Sequence, residues 1–234
     1  MRTTFKQASA IIVAAGKGSR MKTNINKQYL LLMDKPVLAH TIDAFEKCDC
    51  ISEIIVVINK NELDYFHESI IKPNNFSKIT EVTQGGEDRQ ASVFNGLSCV
   101  SPLSDMVAVH DGARPLVTPE IIQRSVEVAA VHGVACVGVP VKDTIKKVDA
   151  SQNVKQTPDR SLLWTIQTPQ TFRKEILLDA HQNADISGFR GTDDSVLAER
   201  LGYNVRMVMG SYTNIKITTA EDIVFAKSIL QNQY

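Results

Sequence analysis

The sequence predicts an α/β protein built on a doubly wound, mostly parallel sheet. Three observations point there. Short runs rich in Val and Ile alternate with helical patterns almost from end to end of the 234 residues. Most of those runs lack strict apolar–polar alternation, as strands covered on both faces do. Prolines 36 and 119 stand where helices would begin, at the first turn, where a missing N–H does no harm. Strands that alternate with helices in this way build parallel sheets with helices on both faces.

In chain order, strands are expected at residues 8–14, 54–58, 78–83, 106–109, 135–139 and 205–207. Helices are expected at 36–47, 62–71, 88–99, 119–132, 173–183, 193–201 and 220–230. Residues 143–160, DTIKKVDASQNVKQTPDR, break the rhythm. Two polar, strand-like pieces, 144–148 and 153–156, flank the turn-rich centre Asp149-Ala-Ser-Gln, which predicts a protruding β-hairpin arm. The arm is too polar for a central strand and too long for a tidy connection. It either packs against another subunit or forms a mobile surface flap. There is no internal repeat or low-complexity tract, and residues 1–234 are expected to form a single domain.

Hydrophobic residues make up 43% and charged residues 22% of the chain, enough for a sizeable core. Lys plus Arg is 26 and Asp plus Glu is 26, so no global charge draws nucleic acid or an anionic membrane. Aromatic residues, at 6%, are too few for a base-stacking surface. No apolar run has the length of a membrane span, and the N-terminal MRTTFKQAS has no signal-peptide core, so a cytoplasmic protein is expected. The four cysteines, Cys48, Cys50, Cys99 and Cys136, form no paired C-x-x-C set and have no histidine at zinc-finger spacing; Cys48-x-Cys50 is a weak metal signal, and all four read as thiols of a reducing compartment.

The first strand runs directly into Ala14-Ala15-Gly16-Lys17-Gly18-Ser19-Arg20-Met21. Two glycines allow a sharp turn that brings backbone N–H groups close to a polyanion. In a neutral chain the remaining charge must come from local cations, and Lys17, Arg20, Lys22 and Lys27 supply them. The loop is not a dinucleotide fingerprint, because Met21 stands at the third glycine position, and this speaks against a dehydrogenase. Nor is it a P-loop.

Further clusters follow later strands. Gly85-Gly86-Glu87-Asp88-Arg89-Gln90-Ala91-Ser92 opens a helix; it is either a base-binding turn or a plain turn with a helix cap. His110-Asp111-Gly112-Ala113-Arg114-Pro115 puts Asp111 at a strand's carboxyl end, where it would hold Mg²⁺ or a ribose hydroxyl, with Arg114 beside it. His110 has no partner in sequence that makes it a base and reads as structural. Trp164-Thr165-Ile166-Gln167-Thr168-Pro169-Gln170 is uncharged and hydroxyl-rich, suited to a polyol-binding wall. Arg160, Thr192-Asp193 and Lys216 are scattered polar residues that read singly as surface charges or a helix cap.

Taken together, the strings AAGKGSRM, KQY, GGEDRQASV, HDGARP, VPVKDTIKKV, QTPQTF, TDD and NIKIT closely resemble the 2-C-methyl-D-erythritol 4-phosphate cytidylyltransferase family of non-mevalonate isoprenoid synthesis. The resemblance implies a Rossmann-like nucleotidyltransferase fold. It also implies transfer of CMP from CTP to methylerythritol phosphate with release of pyrophosphate. Arg20 and Lys27 would stabilise the transition state. The loop glycines Gly16 and Gly18 would cradle the CTP phosphates, while Ala14, Ala15, Gly86 and Ser92 would read cytosine. Asp111 and Arg114 would contact the nucleotide and support Mg²⁺ or another divalent cation. Thr165, Arg160, Thr192 and Lys216 would hold the sugar phosphate. The family implies a homodimer with crossing arms, so that Thr144 and Arg160 act on the partner's site. A related ribitol-5-phosphate cytidylyltransferase and a non-catalytic nucleotide-binding protein are the alternatives. The chain ends at Tyr234, and on this reading it is monofunctional.

Overall fold

The computed structural model describes residues 7–16 and 26–232. The elements, in order, are β1 (Ala8–Val13), β2 (Leu31–Leu32), β3 (Lys35–Pro36), α1 (Val37–Glu46), β4 (Ile51–Ile58), α2 (Leu63–Phe66), β5 (Ile79–Gln84), α3 (Arg89–Leu97), β6 (Met106–Asp111), α4 (Pro119–His132), β7 (Val134–Pro140), β8 (Lys147–Val148), β9 (Val154–Gln156), β10 (Trp164–Arg173), α5 (Lys174–Ile186), α6 (Ser195–Arg200), β11 (Val205–Met209) and α7 (Ala220–Gln231). Seven strands form one sheet in the order β11-β7-β10-β6-β1-β4-β5. Every pairing is parallel except the two made by β10, which runs antiparallel between β6 and β7.

The pleat sorts side chains between two cores. Ala10, Ile12, Ile54, Val56 and Ala108 face Leu38, Ile42 and Phe45 of α1 and Ile122 and Val126 of α4. Their neighbours Ile11, Ile55, Val57, Val107 and Val109 face Val93 and Leu97 of α3, Leu177 of α5 and Leu197 of α6. Both faces are therefore covered, which is why these strands read as unbroken apolar runs. A smaller third cluster ties Ala226 of α7 to Leu32, Val37 and Ile217.

The predicted doubly wound sheet is present, and six of its seven strands were legible. β10 was not. Its centre, Gln167–Gln170, is polar and contains Pro169, which argues against a central strand. The register of β10 against β7 is interrupted between Ile166 and Gln170, so the missing N–H of Pro169 falls in a gap in the ladder. The polar side chains are satisfied internally: Gln167 Nε2 donates to Ser211 O (2.7 Å), and Thr171 Oγ1 pairs with Ser125 Oγ (2.9 Å). The string read as a polyol-binding wall is thus, from Gln167 onward, a buried strand; only its start, including Thr165 and Ile166, stays exposed.

Two smaller expectations also change. Residues 62–71 are not one α-helix but a 3₁₀ turn, the short α2 and a π turn in succession. Pro36 lies just before α1 rather than inside its first turn, whereas Pro119 does open α4. The predicted arm is a two-stranded hairpin, with strands shorter than expected. No helix among the described residues is long and apolar enough to cross a membrane.

Candidate active site

β1, β4, β5 and β6 all end on one edge of the sheet, and a cleft of about 420 Å³ opens there. Ligands collect on this edge because the strand ends and the helix N-termini that follow leave backbone groups unpaired. Ala14, Ala15 and Gly16, which follow β1, form one wall of the cleft. Gly18 and Arg20 lie outside the described residues.

Lys27 lines the cleft as the first residue of a 3₁₀ turn, Lys27–Tyr29. The turn is held from beneath. Gln28 is buried, and its Nε2 donates to Ala14 O (2.7 Å) and to Glu62 Oε2 (3.3 Å). Asn26 Nδ2 donates to the same carboxylate. The Tyr29 ring meets Tyr65 edge-on at 4.9 Å. The backbone that carries Lys27 is thereby fixed relative to the loop after β1.

The opposite wall is the loop between β5 and α3. A Cβ on Gly85 would fall 2.2 Å from the Ala15 Cβ, so only glycine lets this loop close against the first. Gly86 N–H donates to Ser92 Oγ (3.0 Å), and the Ser92 hydroxyl donates to Asp88 O (2.7 Å). The hydroxyl proton of Ser92 is therefore used on the backbone, and this side chain shapes the glycine turn. Asp88 caps α3 by accepting from Ala91 N–H (2.7 Å).

Asp111 ends β6 on the cleft floor and gathers three cations. Lys216 Nζ is 2.7 Å from Oδ2, Arg114 Nε is 3.6 Å from Oδ2, and Arg89 Nε is 3.3 Å from Oδ1. Burial pushes this carboxyl's pKa up, but Lys216 and Arg89 outweigh it and hold the group well below the usual carboxylate range. Lys216 arrives on the loop before α7, fixed where Ile217 N–H donates to Ala113 O (2.8 Å). Arg114 is braced by donating to Asn214 O (2.9 Å).

His110 is fully buried behind Asp111. Thr168 Oγ1 accepts from Asp111 N–H (3.1 Å), so its own proton points to His110 Nδ1 (3.0 Å). Nε2 then carries the imidazole proton and donates to Arg114 O (3.2 Å). Burial lowers the pKa of this histidine to about 3, with the Asp111 charge opposing. The structural reading of His110 fits this neutral, doubly bonded ring.

Unfolded chains protonate this histidine near its ordinary value of 6.5, whereas the folded protein resists until about 3. Its contribution is complete above the unfolded value and is lost as pH falls between the two. From pH 7 to pH 5 the loss from this one group is about 2 kcal/mol. Urea unfolding of His110→Gln is expected to show a pH dependence shallower by that amount; curves parallel to the wild type over this range would reject the assignment.

Of the residues singled out from sequence, Ala14, Ala15, Gly16, Lys27, Gly86, Ser92, Asp111 and Lys216 line one cleft. Arg114 stands against its floor through Asp111. Thr192 instead lines a second cavity, of about 580 Å³, with Cys136 and Ile166. Thr165 lies at the exposed start of β10, with its hydroxyl donating to Val139 O (3.3 Å). Thr144 and Arg160 sit on the arm, outside the lining of this cleft, and Arg160 donates to Lys142 O (2.6 Å). The predicted Thr192-Asp193 cap is displaced by one residue: Asp194 stands at the N-cap of α6, and Asp193 supports the first turn by accepting from Val196 N–H at Oδ1 (3.0 Å).

Sequence reasoning missed Arg89. A cation in the first turn of a helix opposes the dipole, so its presence there signals an acidic partner elsewhere in the fold. That partner is double: besides Asp111, Arg89 Nη1 reaches Asp194 Oδ2 at 2.6 Å.

A mostly parallel sheet, with a glycine-lined cleft on its carboxyl edge and three cations gathered on Asp111, defines a nucleotide-binding α/β enzyme of the nucleotidyltransferase type. The chain belongs to the 2-C-methyl-D-erythritol 4-phosphate cytidylyltransferase family (IspD), whose pattern it matches over residues 8–232. It is 50% identical over 223 residues to the 2-C-methyl-D-erythritol 4-phosphate cytidylyltransferase of Caldanaerobacter subterraneus subsp. tengcongensis, covering 95% of this chain and 98% of the relative. It is also 50% identical over 222 residues to that of Clostridioides difficile, covering 95% and 93%. The crystal structure of the 4-diphosphocytidyl-2C-methyl-D-erythritol synthase of Anaerococcus prevotii superposes with a TM-score of 0.87 at 36% identity, covering 97% of this chain and 96% of the other.

Proposed function

We propose that this chain transfers CMP from CTP to 2-C-methyl-D-erythritol 4-phosphate and releases pyrophosphate. Family membership supports the substrate pair. The observation that carries the chemistry is the set of cations, Lys27, Lys216 and Arg114, gathered at one cleft with its turning loops around Asp111, which Arg89 braces from the side. A phosphate monoester is already anionic near neutral pH, so attack of its oxygen on the α-phosphorus needs no strong base. The barrier lies in bringing two anions together, and fixed positive charge lowers it. On this reading the loop after β1 cradles the triphosphate, with Gly18 and Arg20 completing it. Ala14, Ala15, Gly86 and the turn held by Ser92 read the base, and Lys27 meets the charge that develops at the α-phosphate. Thr165, Thr192 and Lys216 hold the sugar phosphate.

A divalent cation fits the donor set. The described residues hold no cluster of three or more His, Cys, Asp or Glu that would bind a metal alone. Asp111 offers one ionised carboxylate at the cleft floor, shared with Lys216, Arg114 and Arg89, so a magnesium ion held there would take one carboxylate contact and draw the rest of its shell from substrate phosphates and water. Bound there, the ion would neutralise part of the triphosphate charge. The arm is taken as the dimer contact, with Thr144 and Arg160 serving the partner's cleft. Exposed Val148 and Val154 supply its apolar surface, continued by Leu162 just past its base.

Pyrophosphate release tests the reading directly. CTP, UTP, GTP and ATP are each incubated with methylerythritol phosphate and with ribitol phosphate. Turnover is expected for CTP with methylerythritol phosphate, exceeding every other pair at least about tenfold in kcat/KM. Preference for ribitol phosphate would assign the other cytidylyltransferase activity. CTP binding without pyrophosphate release from any pair would make the chain a nucleotide sensor.

A further inference from the structure

Three consecutive residues at the start of α3 reach across to one distant segment. Asp88 Oδ2 pairs with Arg190 Nε at 3.1 Å. Arg89 Nη1 pairs with Asp194 Oδ2 at 2.6 Å. Gln90 Oε1 accepts from Gly191 N–H (3.0 Å), while its Nε2 donates to Phe189 O (3.2 Å). The glycine turn that precedes these residues is a wall of the nucleotide cleft, and the segment they grip carries Thr192.

Arg89 is the strongest of the three links because it is shared. Its guanidinium diverges, with Nε on Asp111 at 3.3 Å and Nη1 on Asp194. Asp194 is almost fully buried and also accepts from His181 Nε2 at 3.1 Å. Its backbone N–H and that of Ser195 both donate to Gln170 Oε1 at 3.0 Å, which pins the segment to β10. Asp194 therefore has little room to move, and Arg89 transmits its position to Asp111. Burial lowers and the two carboxylates raise the pKa of Arg89, with the carboxylates prevailing, so the link stays charged.

We propose that Arg89 is a positioning residue that fixes the spacing between the nucleotide half of the site, at Asp111 and the glycine turn, and the acceptor half, at residues 192–195. The inference rests on the reading that Thr192 contacts the sugar phosphate. Arg89 touches neither reactant in this scheme; it sets the separation at which the two phosphoryl groups meet. Lysine keeps the charge but has one ammonium on a single stem, and it cannot engage two carboxylates on divergent sides.

The test is steady-state kinetics of Arg89→Lys, with thermal unfolding as a folding check. The expected result is a split: KM for the sugar phosphate rises about tenfold while KM for CTP stays within about twofold. Gln90→Ala, which cuts the neighbouring neutral links, is expected to move the same constant in the same direction by a smaller factor, and it decides the matter if Arg89→Lys does not fold. Equal rises in both KM values, or unchanged constants in the variant that folds, would overturn the proposal. The acceptor used is whichever one the wild type turns over. Preference for ribitol phosphate would thus refute the substrate assignment while the KM split still reports on Arg89.

Discussion

Lys27→Ala is expected to lower kcat at least about 100-fold, the scale for removing one preorganised contact to developing charge. KM for CTP should change far less, because the loop amides and base contacts that bind the ground state remain. The expectation rests on how the side chain is mounted. The turn Lys27–Tyr29 is anchored through Gln28 to Ala14 O and Glu62, so Lys27 is mounted beside the loop after β1, which on the proposed reading cradles the phosphates. A residue that only attracted the nucleotide would raise KM and spare kcat. Single-turnover rates at saturating CTP separate the two. A variant with near-normal kcat and a raised KM would remove Lys27 from the transition state.

The sequence carried most of this site for a topological reason. In a parallel sheet every strand ends on the same edge, so residues just past each strand end must share that edge. Ala14–Gly16, Gly86 and Asp111 could therefore be grouped from strand ends alone. The arm was legible because polar strands around Asp149-Ala-Ser-Gln have few other uses. What stayed hidden depends on partners distant in sequence. β10 looks like a loop until β6 and β7 supply its hydrogen bonds and the ladder gap accommodates Pro169. Arg89 looks like one more surface cation until the fold brings it to Asp194, 105 residues away. Lys216 sat far from any strand end, and its role came only from resemblance to a family. The structure then put its ammonium 2.7 Å from Asp111.

Mixing two crippled variants is expected to restore activity that neither has alone. If the arm serves the partner's cleft, each site takes Lys27 from one subunit and Arg160 from the other. Arg160→Ala is expected to lower kcat/KM for the sugar phosphate at least about tenfold by removing a charged contact to its phosphate, leaving KM for CTP unchanged. In a dimer of Lys27→Ala with Arg160→Ala, one site then carries both substitutions and the other carries neither. With random pairing half the dimers are mixed, so about a quarter of all sites recover wild-type composition. Co-expression with two affinity tags isolates the mixed dimer, and pyrophosphate release at low sugar phosphate reads the result. An arm that folds back on its own cleft would put both residues in one subunit, and the mixture would then show only the average of its damaged parts. The arm's geometry favours the first outcome. Arg160 does not line its own chain's cleft, and the hairpin exposes Val148 and Val154 at more than half of their surface, 51% and 57%. Apolar side chains on a polar two-stranded hairpin gain little from water and something from a second copy.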